Sequence, residues 1–255
     1  MKAPQLLIPE WPVPAHVKAC ISTRQGGVSD APYEGFNLAS HVGDDIDSVE
    51  RNRTQLLKEL AVDSVQWLEQ VHGTKLVEAQ NDGRVRTADA CYSRASGIAC
   101  AVMTADCLPV LLCDEDGSQV AAVHAGWRGL AEGIISETVA SFSCAPEKLM
   151  VYLGPAISAR AFEVGIDVLE AFFESAKSES HLQAVSQSFK PSHALAMKYL
   201  ADIYALARAE FDELGVNRVY GGDFCTYSDA ERFYSYRRDG VTGRMASLIW
   251  IDGSH

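Results

Sequence analysis

Apolar positions along this chain cluster in two ways. Short runs of strand length occur at Val17–Ser22, Val65–Gln70, Leu76–Ala79, Ile98–Thr104, Cys107–Cys113, Val120–His124 and Leu149–Leu153. Elsewhere apolar residues recur at helical spacing. Val49, Leu56, Leu57 and Leu60 predict a helix over about 48–61. Asp47-Ser-Val-Glu50 reads as the capping box that opens it, with Asp47 as the cap. Further helices are predicted at 129–142, 166–175 and 194–214, and further strands near Val219–Tyr220 and Ser247–Ile251. The stretch around Trp11 reads as an early strand. Residues 24–43 read as loop, because Gly26, Gly27, Pro32, Gly35 and Asn37 are turn formers. The polar stretch 176–193 reads as a loop or a loose helix. Asp114-Glu-Asp-Gly117 is an acidic turn, so the apolar segments on either side of it should pair antiparallel. This order is neither strict βαβ nor all-β and predicts an α/β fold with a mixed sheet, in the α+β manner.

Composition narrows the class. The chain has 255 residues, 47% hydrophobic and 22% charged, as an ordinary globular protein does. No internal repeat or low-complexity linker divides it, so one domain over 1–255 is expected. A formal net charge of −12 argues against non-specific binding to nucleic acid or anionic lipid, while leaving room for a local basic pocket. The seven cysteines are odd in number, and several sit in apolar runs, so buried free thiols are expected. The opening residues lack a secretory pattern, and no apolar run reaches the roughly 20 residues of a membrane span. A cytoplasmic, reducing setting is the expectation.

Three short segments carry the candidate chemistry. They are Gln70-Val-His72-Gly73, Thr104-Ala-Asp106-Cys107 and His124-Ala-Gly-Trp-Arg-Gly129. Each places one nitrogen or sulfur ligand at a strand end. Two imidazoles and one thiolate match the Cys/His sets that bind zinc with a fourth position open, as a catalytic zinc requires. The 114–117 turn brings the start of one strand beside the end of the next, which supports a Cys107/His124 pair. The position of His72 does not follow from spacing. By themselves, a histidine at a strand end and a cysteine in an apolar run are more often structural.

These three segments, in this order, resemble the motifs of the YfiH-like family. That family is also known as laccase-domain or multicopper polyphenol oxidase proteins, as peptidoglycan editing factor, and as purine nucleoside phosphorylase/adenosine deaminase. Supporting segments span nearly the whole chain. They include Ser22-Thr-Arg24-Gln-Gly-Gly-Val-Ser29, Asn37-Leu38, His41-Val-Gly-Asp-Asp45, Asn52-Arg53, Leu153-Gly-Pro155, Cys225-Thr226, Ser235-Tyr-Arg-Arg-Asp-Gly240 and Thr242-Gly-Arg-Met-Ala246. Ala39 stands where the pattern has glycine. The resemblance implies a zinc ion on His72, Cys107 and His124. It also implies phosphorolysis of adenosine, inosine, guanosine and methylthioadenosine, and hydrolytic deamination of adenosine. The implied fold is a single α/β domain similar to the cysteine-hydrolase domain of cytotoxic necrotizing factors.

Phosphorolysis needs a held phosphate, for which arginine forks are suited. Arg24, Arg53, Arg128 and Arg237 are the candidates, with Gly126 and Gly129 allowing close backbone approach. Asn37 and His41 either contact a nucleoside or shape their loop. Asp106 either orients a ligand or forms a turn, and Trp127 and Phe36 either stack on a purine or belong to the core. Cys225, Tyr234 and Tyr236 are placed at the pocket edge. The implied partners are purine nucleosides and phosphate, with no nucleic acid or membrane and no protein partner indicated. A second reading makes Cys107 a nucleophile and His124 its base, in an amidase editing peptidoglycan precursors (muropeptides). A third is copper-dependent polyphenol oxidation. Cu(II) outcompetes Zn(II) at such ligands, but a laccase-type cluster needs more imidazoles than the seven present.

Overall fold

The computed structural model describes residues 3–192 and 197–253. Two large sheets lie face to face. In the first, the strand order is Leu6–Leu7, Val17–Ser22, Met245–Ile251, Ile98–Thr104, Ser64–Gln66. In the second it is Arg218–Gly221, Leu149–Leu153, Leu108–Asp114, Val120–Ala125, Ala90–Ser93, Leu76–Glu78. Both sheets mix parallel and antiparallel neighbours.

The apolar runs are continuous because the central strands are covered on both faces. Val120 and Ala122 pack against the first sheet together with Cys91, Leu111 and Cys113. Their neighbours Ala121, Val123 and Ala125 face the other way, into a core shared with Ile134, Phe172 and Leu206 from the helices. On the far side of the first sheet, Leu56 and Leu60 of the helix Ile46–Leu60 pack with Phe36 and Leu38. The layers therefore run helix, sheet, sheet, helix. A smaller sheet of Glu163–Gly165, Lys198–Ala201 and Phe189–Pro191 stands beside the helical layer.

Several boundaries differ from expectation. The first helix is capped by Asp45, whose carboxylate accepts from the Ser48 main-chain N–H at 3.0 Å. Asp47 already lies within the helix, so it cannot cap it. The 129–142 helix is two pieces, Trp127–Ala131 and Ile134–Ala140, separated at Gly133 with φ +97°. The helix expected over 194–214 begins only at Ile203, with Asp202 as its cap. The Lys198–Ala201 segment pairs on both sides in the small sheet, and that pairing overrides its helical spacing. Residues 194–196 lie outside the described residues. The 176–193 stretch holds a helix at Glu179–Gln187 and a strand at Phe189–Pro191, with His193 outside the described residues. The run from Val65 is split between two sheets as Ser64–Gln66 and Leu68–Glu69. The early strand is Leu6–Leu7, not the segment around Trp11. All seven cysteines are free. Among the described residues no helix is long and apolar enough to cross a membrane.

Candidate metal centre

The predicted hairpin is present. Val120–Ala125 pairs antiparallel with Leu108–Asp114, placing His124 opposite Pro109 and Ala125 opposite Leu108. The Asp114 carboxylate accepts from the Ser118 N–H at 2.6 Å and shapes the turn. Cys107 immediately precedes one strand and His124 nearly ends the other, so the register itself brings them together. His72 arrives from a separate loop. Its Nε2 lies 3.8 Å from Cys107 Sγ, and its ring meets that of His124 edge-on at 4.7 Å between centroids. The three ligand atoms all lie within 4.8 Å of one another. A tetrahedral ion with ordinary Zn–N and Zn–S bonds separates its ligand atoms by roughly 3.3–3.6 Å. Modest side-chain closure would therefore seat a metal here.

Asp89 organises the cluster and was not singled out from the sequence. Its fully buried carboxylate accepts from the main-chain N–H groups of Val71, His72 and Gly73 at 3.2, 2.9 and 2.8 Å. It also receives His124 Nδ1–H at 2.8 Å, which fixes the tautomer that leaves Nε2 as the ligand. One carboxylate thus ties the His72 loop to His124. The available signal was a lone acid inside the apolar stretch Thr87-Ala-Asp-Ala-Cys91, because a buried charge requires partners.

The flanking motif residues have local explanations. The Gln70 amide pairs with the Met103 main chain in both directions, at 2.8 and 2.7 Å. This holds the loop against the first sheet and lets His72 sustain φ +61°. A Cβ at Gly126 would lie 2.8 Å from the His72 ring and 3.4 Å from Cys107 Sγ. A Cβ at Gly129 would lie 2.6 Å from the Gly73 carbonyl. The close approach these glycines permit is to the metal ligands and their loop.

Electrostatics within the cluster favour charge separation. Burial raises the Cys107 thiol, but the charge and hydrogen bonds of His124 and His72 outweigh it and bring the pKa down to about 6. Burial lowers His124, but the Cys107 thiolate and the Asp89 hydrogen bond bring it up to about 9. Asp89 is held below the usual carboxylate range: burial opposes its charge, and the His124 hydrogen bond and loop N–H groups overcome that. Without a metal, these shifts favour a thiolate beside an imidazolium.

Two clefts meet at Cys107. One, of about 360 Å³, is lined by His41, Gln70, His72, Met103, His124 and Arg244, among others. The other, of about 190 Å³, is lined mainly by Trp127, Ile157, Phe162 and Ile203, with Arg237. Ala105, Cys107 and Tyr236 belong to both. Arg53 stacks on Trp67 at 4.4 Å and donates from Nε to the Leu38 carbonyl, behind His41. Buried Asn37 supports the loop by accepting from the main-chain N–H of Arg244 at 2.9 Å.

Other candidate residues lie elsewhere. Arg24 lines a different cleft and donates to the Ala230 carbonyl. Arg128 is exposed and lies over its neighbour Trp127. Phe36 and Tyr234 are fully buried core. Asp106, at φ +96°, orients no histidine. Its oxygens accept from Thr226 Oγ1 and the Arg237 N–H, each at 2.6 Å. It anchors the loops behind Cys107. Cys225 contacts the Ser158 hydroxyl and lines neither cleft at the cluster.

A family model described as multi-copper polyphenol oxidoreductase laccase matches residues 18–252. The chain belongs to that family. A Pseudomonas aeruginosa protein named purine nucleoside phosphorylase is 52% identical over 245 residues, covering 96% of this chain and 98% of that one. YfiH of Escherichia coli, also named purine nucleoside phosphorylase, is 49% identical over 251 residues, covering 97% and 99%. The crystal structure of a Neisseria meningitidis protein of this family superposes with TM-score 0.91 at 48% identity, covering 97% and 99%. YlmD of Geobacillus stearothermophilus superposes with TM-score 0.88 at 29% identity, covering 99% and 100%. The family's description invokes several coppers. Among the described residues, His72, Cys107 and His124 form the one cluster of three or more such side chains able to hold a metal ion.

Proposed function

We propose that this chain is a zinc-dependent purine nucleoside phosphorylase that also deaminates adenosine and works in the cytoplasm. Adenosine, inosine, guanosine and methylthioadenosine, with inorganic phosphate, are its substrates. The observation that carries this reading is the His72–Cys107–His124 cluster, built on Asp89 and open to two clefts of opposite character. The names of its relatives supply the substrate class.

Zinc held by His72, Cys107 and His124 would supply a Lewis acid with one position open to water or a substrate oxygen. The chain's residues do the positioning. Asp89 holds the His124 ring by Nδ1 and the His72 loop by its N–H groups. The apolar cleft of Trp127, Ile157, Phe162 and Ile203 takes the flat purine and strips its water. Tyr236, exposed on the ridge shared by both clefts, lies against the ribose.

The test is a product assay on metal-analysed protein. Hypoxanthine should form from inosine only with phosphate, inosine should form from adenosine without it, and both should be lost in Cys107→Ala. Absence of turnover by zinc-replete protein would overturn the reading.

One observation favours a second reading. Asp89, His124 and Cys107 form a relay in which the thiol is already acidified. This is the arrangement of a nucleophilic cysteine with an oriented base, suited to an amidase acting on muropeptides. On that reading the metal-free protein cleaves amides, and zinc inhibits it. Copper at the same three ligands is a lesser variant of the metal reading.

A further inference from the structure

The larger cleft carries basic groups that the ligand cluster does not use. Arg244 lines it and is half-buried. Its Nη1 donates to the carbonyls of Thr242 and Gly243 at 2.9 and 3.0 Å, which orients the guanidinium from its own loop. Its main-chain N–H is fixed by buried Asn37. No carboxylate forms an ion pair with it among the described residues. Burial lowers its pKa, and Cys107, Asp106, Tyr236 and Tyr33 are the groups whose charge opposes that.

His41 lines the same cleft, and burial, followed by Arg244 and Arg53, disfavours its protonation. Arg244 and His41 therefore share one cleft, with Arg53 close enough to act on His41. Glu69 opposes that effect on His41. A guanidinium held in place outside any ion pair favours an arriving anion. A planar fork with unused donors suits a phosphate. Arg237 is held in the same way, its Nη1 donating to the carbonyls of Ala161 and Glu163, but it stands among the apolar side chains of the smaller cleft without a second basic group such as His41 beside it.

We propose that Arg244, with His41 beside it, is the phosphate subsite, across Cys107 and Tyr236 from the purine. The inference rests on the phosphorylase reading. That reaction requires phosphate and base on opposite sides of the ribose C1′, and the two clefts adjoin at Ala105, Cys107 and Tyr236. A phosphate oxygen bonds to C1′ as the bond from C1′ to the purine nitrogen breaks. The purine leaves with the electron pair, and the proton of the hydrogen phosphate ends on it, giving ribose 1-phosphate and free base.

The test compares wild type, Arg244→Met, Arg244→Lys and His41→Gln. In phosphorolysis, Arg244→Met should raise the KM for phosphate by about tenfold or more, as expected for loss of a charge-assisted contact. The KM for inosine should stay within about twofold. Arg244→Lys should fall between, because it keeps the charge and loses the fork. His41→Gln, at an exposed position, should raise the phosphate KM by about threefold. Independently of turnover, inorganic phosphate should raise the Tm of wild type and not of Arg244→Met. An unchanged phosphate KM, or a rise confined to the inosine KM, overturns the subsite. If wild type releases no base, the phosphorylase reading fails. Calorimetric binding of inorganic phosphate, present in wild type and lost in Arg244→Met, would then still support an anion subsite, and no binding would overturn it. Inosine 5′-monophosphate separates the sources. If it binds through Arg244 and inorganic phosphate does not, the arginine serves a substrate's own phosphate and the inference fails.

Discussion

His124 and His72 present imidazoles to the same point from unlike ground. His124 is buried in a strand paired on both sides, and its ring is locked by Asp89. His72 is exposed on a loop at φ +61°, held through its main chain while its ring stays free to adjust. One ligand is part of the fold, and the other is added to it. The difference teaches that a candidate metal site can combine a rigid reference with a movable arm. Removing each should have different consequences.

The largest effect should come from Asp89, where the two halves join. Asp89→Ala strands three loop N–H donors and the His124 Nδ1–H. It should destabilise the metal-free protein by about 3 kcal/mol or more. The Tm should fall by roughly 6–12 °C, and zinc affinity by at least about tenfold to a hundredfold. Thermal melts and zinc titration measure both. A stable variant with normal zinc affinity would show that the two halves are held independently.

The next contrast separates the arms directly. His124→Ala should cost about 1–3 kcal/mol in the metal-free protein, because Asp89 loses its buried partner. His72→Gly should leave that stability unchanged or raise it by about 1 kcal/mol, since glycine adopts the left-handed backbone without strain. Both should lose zinc. Equal destabilisation in the two would break the comparison.

Smaller effects should follow at the glycines. Gly129→Ala drives a methyl onto the Gly73 carbonyl, a main-chain atom, and should lower Tm. Gly126→Ala pushes on the His72 ring, which can move, so zinc affinity should fall with little change in Tm. Calorimetry of both variants with and without zinc tests the ordering.

The smallest effects are those of pH. A cysteine whose folded pKa lies below its unfolded value stabilises the fold at high pH. For Cys107 that contribution is lost as pH falls through about 6. His124 is raised, so its contribution is present at low pH and lost as pH rises through about 9. Alkylation of Cys107 in metal-free protein, followed by peptide mass spectrometry, should be half-maximal near pH 6. For Cys225, where burial raises the thiol and Ser158 and Ser228 outweigh it, the midpoint should be near 7. Zinc should protect Cys107 alone. A Cys107 midpoint at the ordinary thiol value would remove the ion pair from the account.

The same division between the arms marks what could be read without coordinates. The hairpin was legible because turn chemistry and strand length are local, and once the turn lies at 114–117 the register follows. Helix spacing was legible at 46–60 and misleading at 198–201, where pairing with two other strands decided the outcome. Of the arginines, those beside obvious turns drew attention, and Arg24 and Arg128 lie away from the two clefts. Arg244, inside a quoted motif, had no local mark of function.

By itself the sequence determined the mixed sheets, the Cys107–His124 neighbourhood and the family, through short-range patterns and ordered motifs. Only tertiary structure decided that Asp89 would bind both the His72 loop and His124, across 17 and 35 residues of chain. It alone set Arg244 in the cleft beside Cys107, far along the chain. The physical reason is that buried charges and unused donors are defined by what surrounds them. Those surroundings come from strands and loops whose order in space the linear pattern does not contain.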